Sequence, residues 1–203
     1  EPPRLLAPPR PEQEDKRRAV RSFDTSGHVM LCGSFSKTVA PGLRVGWVEA
    51  GRWAEPVRRM KMATSGSQTT FVELAMAELL NHTGNEAGFR QMRHTIGVRV
   101  DEARRLIAGS FPKGTRVTDP AGGYILWVEM PRAVDSQALF TACLAERIAI
   151  APGTLFSASD RYRHCIRLGV GGRWDDTQRH ALMRIGELAR ALQAAAPALP
   201  EAA

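Results

Sequence analysis

The segment GSFSKTVAPGLRVGW, Gly33 to Trp47, places Ser34, Ser36, Lys37, Thr38 and Arg44 close together with little apolar bulk between them. A lysine amine attacks aldehydes, and hydroxyl and guanidinium groups donate to phosphate oxygens. These residue types fit a phosphorylated aldehyde, of which pyridoxal 5'-phosphate is one biological example. Lys37 would supply the amine. Ser34 and Ser36 would supply hydroxyl donors. Arg44 follows the Pro41-Gly42 reversal, which can fold its planar fork back toward the same phosphate. The only lysines are Lys16, Lys37, Lys61 and Lys113, and arginine carries the rest of the positive charge. Lysine can lose its proton near neutral pH where arginine cannot, so a lysine in this loop favours chemistry over charge. A polar surface turn with a chance lysine has the same spacing, and spacing alone leaves both readings open.

A second candidate is Arg167, set between Ile166 and Leu168 in the apolar stretch HCIRLGV. A buried charge without a partner is costly, so a ligand carboxylate would account for it. The plain alternative is a sheet-edge arginine with a solvated tip. The three cysteines, Cys32, Cys143 and Cys165, show no metal spacing and read as reduced thiols packed as small core residues. The five histidines suggest neither a metal site nor a triad, and Trp47 and Trp127 read as packing residues. A net charge of +7 invites a nucleic-acid reading, but the charge is spread along the chain and no recognition motif accompanies it.

At 203 residues and 43% hydrophobic, the chain is long enough for a real core. It shows neither a membrane-length apolar run nor a charged-then-apolar leader, and its odd, scattered cysteines read as the reduced thiols of a cytoplasmic protein. Residues 1–21 are rich in Pro and Arg and read as an arm or linker. HVMLC, His28 to Cys32, reads as a buried strand, and LRVGWVEA as a second. Helices are expected over Trp53–Met62, over Phe71–Leu80 with a stop near Asn81 and Gly84, and over Glu86–Ala108 with Gly109 as the stop. Phe89, Met92, Ile96, Val100, Ala103 and Leu106 would form the inner face of the long helix. The order after Gly109 reads β-β-α-β-β-α, an α+β sandwich. In it, Asp135 or Ser136 would cap a helix running to Arg147 with Leu139, Phe140, Cys143 and Leu144 inward. Asp175 would cap the last helix, and the tail AAAPALPEAA would be frayed.

SFSKTVAPGLRVGW closely resembles the lysine segment of fold-type-I, class I/II aminotransferases. It is especially similar to the aminotransferase-like domain of MocR-type regulators in the GntR superfamily. FDTSGHVMLCGSFSK, PAGGYILWVEMP, IAIAPGTLFS and HCIRLGV resemble further segments of that group in the same order, so the resemblance spans about residues 22 to 192. It implies an α/β fold, with 22–85 a remnant of the large pyridoxal-phosphate-binding domain. Residues 86–203 would be a long connecting helix and a small α+β C-terminal domain. It implies that Lys37 is the catalytic Schiff-base lysine, that Ser34 and Arg44 bind the phosphate with Ser36 a weaker candidate, and that Arg167 binds an amino-acid α-carboxylate. No metal is implied.

The family's upstream half of the large domain, with the Asp that pairs with the pyridine nitrogen and the aromatic stacked on the ring, has no match in residues 1–33. The expectation is therefore the C-terminal portion of a longer protein, inactive as this piece alone. The best fit is a regulator that senses an amino-acid-like small molecule, forms a homodimer, and reads DNA only through an absent N-terminal module. The alternatives are a stand-alone amino-acid aminotransferase and a non-catalytic dimerisation or interaction fragment.

Overall fold

A computed structural model describes residues 18–39, 41–82 and 85–196. The Pro-rich arm up to Arg17, Gly84 as a helix stop, and the tail from Pro197 lie outside the described residues. The chain forms two compact units, residues 1–93 and 94–203.

The first unit is built around a hairpin. Strand β1 (Leu31–Ser34) pairs antiparallel with β2 (Gly46–Glu49), Gly33 opposite Trp47 and Ser34 opposite Gly46. β1 begins later than the apolar run suggests. The carboxylate of Asp24 accepts from the backbone N–H of Ser26, Gly27 and Val29, at 2.9, 3.0 and 2.7 Å. A turn tied to a side chain in this way cannot also feed the ladder, so pairing starts at Leu31. Cys32 is exposed, against the expectation of a core thiol, while Cys143 and Cys165 are buried as expected.

Two helices follow, α1 (Ala54–Thr64) and α2 (Thr70–Asn81), and then α3 (Asn85–Ser110), whose residues up to Arg93 belong to this unit. Phe35 and Met76 form the buried centre of a cluster. Val39, Leu43, Val45, Trp47, Leu79 and Phe89 pack around it, half-buried. The core of this unit therefore sits directly under the loop that carries Lys37.

The second unit contains the remainder of α3, helices α4 (Ser136–Ala145) and α5 (Asp176–Ala195), and a four-stranded antiparallel sheet. Its strands are β3 (Arg116–Val117), β4 (Ile125–Glu129), β5 (Ala151–Pro152) and β6 (Cys165–Gly169), in the order β3-β4-β6-β5. The β-β-α-β-β-α order is the one the turn and cap signals imply. Register places Leu126 opposite Leu168 and Val128 opposite Ile166, so these side chains share one face, all buried. Ile96, Val100, Ala103 and Ile107 of α3, Leu139 and Cys143 of α4, and Leu182, Ile185 and Ala189 of α5 are buried as well, forming the helical half of the core.

Asp135 caps α4, accepting from the N–H of Gln137 at 2.7 Å and Ala138 at 3.1 Å. Asp175 caps α5 in a reciprocal box with Gln178. α4 stops at Ala145 rather than Arg147. Arg147 takes φ 61° there, and the N–H of Ile148 returns to the Cys143 carbonyl at 2.9 Å, so the helix is closed by a left-handed residue. Leu144 is exposed, contrary to expectation, because the inward row runs through Leu139 and Cys143. Gly109 does not end α3, which runs on to Ser110. The stop comes from Pro112, which disfavours helical backbone at Phe111.

Candidate functional site

Ser34 ends β1 with extended backbone, φ −139° and ψ 136°, and opens a 3₁₀ turn over Phe35–Lys37. Its Oγ accepts the N–H of Ser36 at 3.2 Å. The turn is anchored from behind. Phe35 is buried, its N–H donates to the Val45 carbonyl at 2.9 Å, and its own carbonyl receives the N–H groups of Thr38 and Val39 at 3.2 and 2.8 Å. After the Pro41–Leu43 turn the chain returns, and Arg44 adopts φ 52°, a left-handed conformation rare for a residue with a side chain. Its Nη1 donates to Ser36 Oγ at 3.2 Å.

The hairpin can close this tightly because Gly33 and Gly46 lack side chains. A Cβ on Gly33 would overlap the Trp47 indole, and one on Gly46 would lie 2.7 Å from the Gly33 carbonyl oxygen. Trp47 is thus a packing residue, as the sequence suggests.

Ser34, Ser36 and Arg44 are joined by hydrogen bonds, and Lys37 follows in the same turn. Ser36 is buried, while Lys37 and Arg44 are exposed. Because the Ser34 and Ser36 oxygens accept within the loop, both hydroxyl protons are free to be donated outward. Among the described residues Lys37 makes no hydrogen bond or ion pair, and no carboxylate bonds to Ser34, Ser36 or Arg44. Two acids of the same unit are engaged by Arg21, Asp24 at 3.8 Å and Glu49 at 3.4 Å. Two hydroxyl donors and a guanidinium beside a lone amine fit a phosphate dianion that carries an aldehyde. Thr38, which the sequence places in the same hydroxyl-rich loop, has its Oγ1 buried without a partner among the described residues.

Arg167 belongs to the second unit. It lies on inner strand β6, opposite Trp127 of β4 and Ala151 of β5, so the sheet-edge reading does not hold. It is not buried either. It is exposed on the outer face of the sheet, with its guanidinium carbon 4.7 Å from the Phe156 ring centroid. Trp127 meets Phe156 edge-on at 5.5 Å and Tyr162 edge-on at 5.2 Å. Sequence reasoning missed this aromatic group because a turn and a short helix separate its members along the chain. Among the described residues no cluster of His, Cys, Asp or Glu could hold a metal.

The model of the aminotransferase class I and II family matches residues 11–185. Among curated proteins, the chain is 36% identical over 170 residues to the uncharacterized HTH-type transcriptional regulator YjiR of Escherichia coli, spanning 84% of this chain and 36% of that protein. It is 29% identical to the uncharacterized HTH-type transcriptional regulator YdcR of the same organism, over 86% of this chain and 37% of that one. Among solved structures it superimposes on LysN, the alpha-aminoadipate aminotransferase of Thermus thermophilus, with TM-score 0.75 and 26% identity. That match covers 82% of this chain and 43% of the other. The chain thus spans well under half the length of these proteins. The fold is that of the aminotransferases, with only part of the large domain represented.

Proposed function

The chain belongs to the aminotransferase class I and II family, and on that premise we propose that it is part of a pyridoxal-phosphate-binding, aminotransferase-like domain of a MocR-type transcriptional regulator. The domain senses an amino compound, and DNA is read by a helix-turn-helix module outside these residues. The whole protein works as a cytoplasmic homodimer. The observation that carries the reading is the loop in which hydrogen bonds link Ser34, Ser36 and Arg44 beside a Lys37 that has no partner among the described residues. The HTH-type transcriptional regulators among the relatives support the role.

Ser34, Ser36 and Arg44 hold the phosphate, and Arg44 neutralises part of its charge. Lys37 presents its amine from a turn anchored by buried Phe35, so the amine is aimed by the backbone. Arg167 grips the α-carboxylate of the amino compound. When bound, pyridoxal phosphate supplies an aldehyde carbon for the lysine amine and a conjugated ring that accepts electrons.

Borohydride reduction in the presence of pyridoxal phosphate, followed by peptide mapping, tests this. Label is expected on Lys37, and label chiefly on Lys16, Lys61 or Lys113 would overturn the assignment. A second reading, a stand-alone amino-acid aminotransferase, is favoured by the similarity to LysN. In the full-length protein, product formation from an amino donor and a keto acid supports the enzyme. An amino compound that changes DNA affinity without product supports the regulator.

A further inference from the structure

Several arginines of the second unit are paired with acids. Arg184 bonds Glu146 and Glu187, Arg179 bonds Glu102, Arg163 bonds Asp135, and Arg116 bonds Glu129. Arg167 is held differently. Among the described residues its side chain makes no ion pair or hydrogen bond, and its guanidinium lies against the Phe156 ring.

The ring itself is fixed. Phe156 ends the 3₁₀ turn Gly153–Phe156 that follows β5, and that turn presses on backbone. A Cβ on Gly153 would overlap the Tyr162 carbonyl oxygen and lie 2.8 Å from that of Cys165, so the turn sits where only glycine permits. Trp127, directly across the ladder from Arg167, braces Phe156 edge-on, and Tyr162 braces Trp127.

A guanidinium over an aromatic ring is attracted through its face, while its N–H groups lie in its own plane and stay free. An acidic partner would occupy those same N–H groups. We infer that Phe156 is a positioning residue for Arg167: it holds the guanidinium in place from one face and leaves its donor edge open to a ligand carboxylate. This rests on the reading of Arg167 as the carboxylate grip. Ordering the long side chain before the ligand arrives lowers the entropy lost on binding.

The test uses the 203-residue chain and 4-methylpentanoate, a carboxylate without an amine, so it requires neither cofactor nor turnover. The readout is the side-chain Nε–H resonance of Arg167, identified by its loss in Arg167→Lys. Phe156→Leu is expected to shift this resonance away from its ring-shielded position and weaken carboxylate binding about fivefold. Phe156→Tyr, which keeps the ring, is expected to retain both properties. Phe156 is partly exposed, and a thermal melt of each variant checks that the fold persists. Unchanged affinity in a folded Phe156→Leu chain overturns the inference while leaving Arg167 its role. No saturable shift of the Arg167 resonance in the native chain overturns the carboxylate reading on which it rests.

Discussion

Arg44 combines a side chain proposed to hold the phosphate with a costly backbone. A left-handed conformation costs roughly 1–2 kcal/mol for a residue with a Cβ, and nothing comparable for glycine. Arg44→Gly and Arg44→Ala therefore separate the two properties. Both remove the guanidinium, so both are expected to weaken pyridoxal phosphate retention by about tenfold or more in the full-length protein. Only the glycine variant relieves the backbone, and denaturant unfolding is expected to find it about 1 kcal/mol more stable than the alanine variant. Equal stabilities would show that φ 52° carries no strain here. The residues of this loop were legible in the sequence because they are near neighbours in the chain. The pairing of Phe156 with Arg167 was not, because it depends on a turn that folds back over the sheet. The unpartnered Thr38 hydroxyl was not either, because a sequence does not show which atoms lose water.

At the scale of elements, the link between α3 and α5 gives a pH dependence. Glu102 accepts from Arg179 Nε at 2.6 Å and from Trp174 Nε1 at 2.7 Å. The Arg179 bond first, and then the Trp174 bond, hold its carboxyl below the ordinary value of 4.5, against the opposing effect of partial burial. A carboxylate lowered in the folded state contributes stability above its unfolded value, and that contribution is lost as pH falls through the folded value. Glu102→Gln is expected to flatten the acid limb of the stability profile below about pH 4.5, read as thermal midpoint against pH. A native-like acid limb in the variant would assign that limb to other carboxylates.

The helices and their order were legible from apolar spacing and from the caps at Asp135 and Asp175. The boundaries that moved did so for local reasons. Asp24 took the backbone donors ahead of β1, and Pro112 rather than Gly109 ended α3.

The two units differ in how much they bury. The second has buried apolar side chains on three helices and two central strands, whereas α1 has no buried residue and α2 has only Met76. Phe71 and Leu74 are 78% and 65% exposed, and Met60 and Met62 are exposed beside them in sequence. Apolar surface of this kind favours association. Sedimentation of the chain is expected to show a dimer or larger species, and Phe71→Glu with Leu74→Glu should shift it toward monomer. A monomeric native chain would rule this out. The shallow core beneath the lysine loop also governs susceptibility to cutting. Sparsely packed segments open at low free energy, and a protease acts on the opened form. Among the described residues a lysine-specific protease meets Lys37 and Lys61 in the first unit. In the second it meets Lys113, whose turn is tied by Thr115 to the Pro112 carbonyl and flanked by buried Phe111 and Pro112. Scission is expected at the first pair well before Lys113, so the fragment that outlasts brief digestion begins after Lys61, and the segment that carries the proposed Schiff-base lysine is the first to be lost.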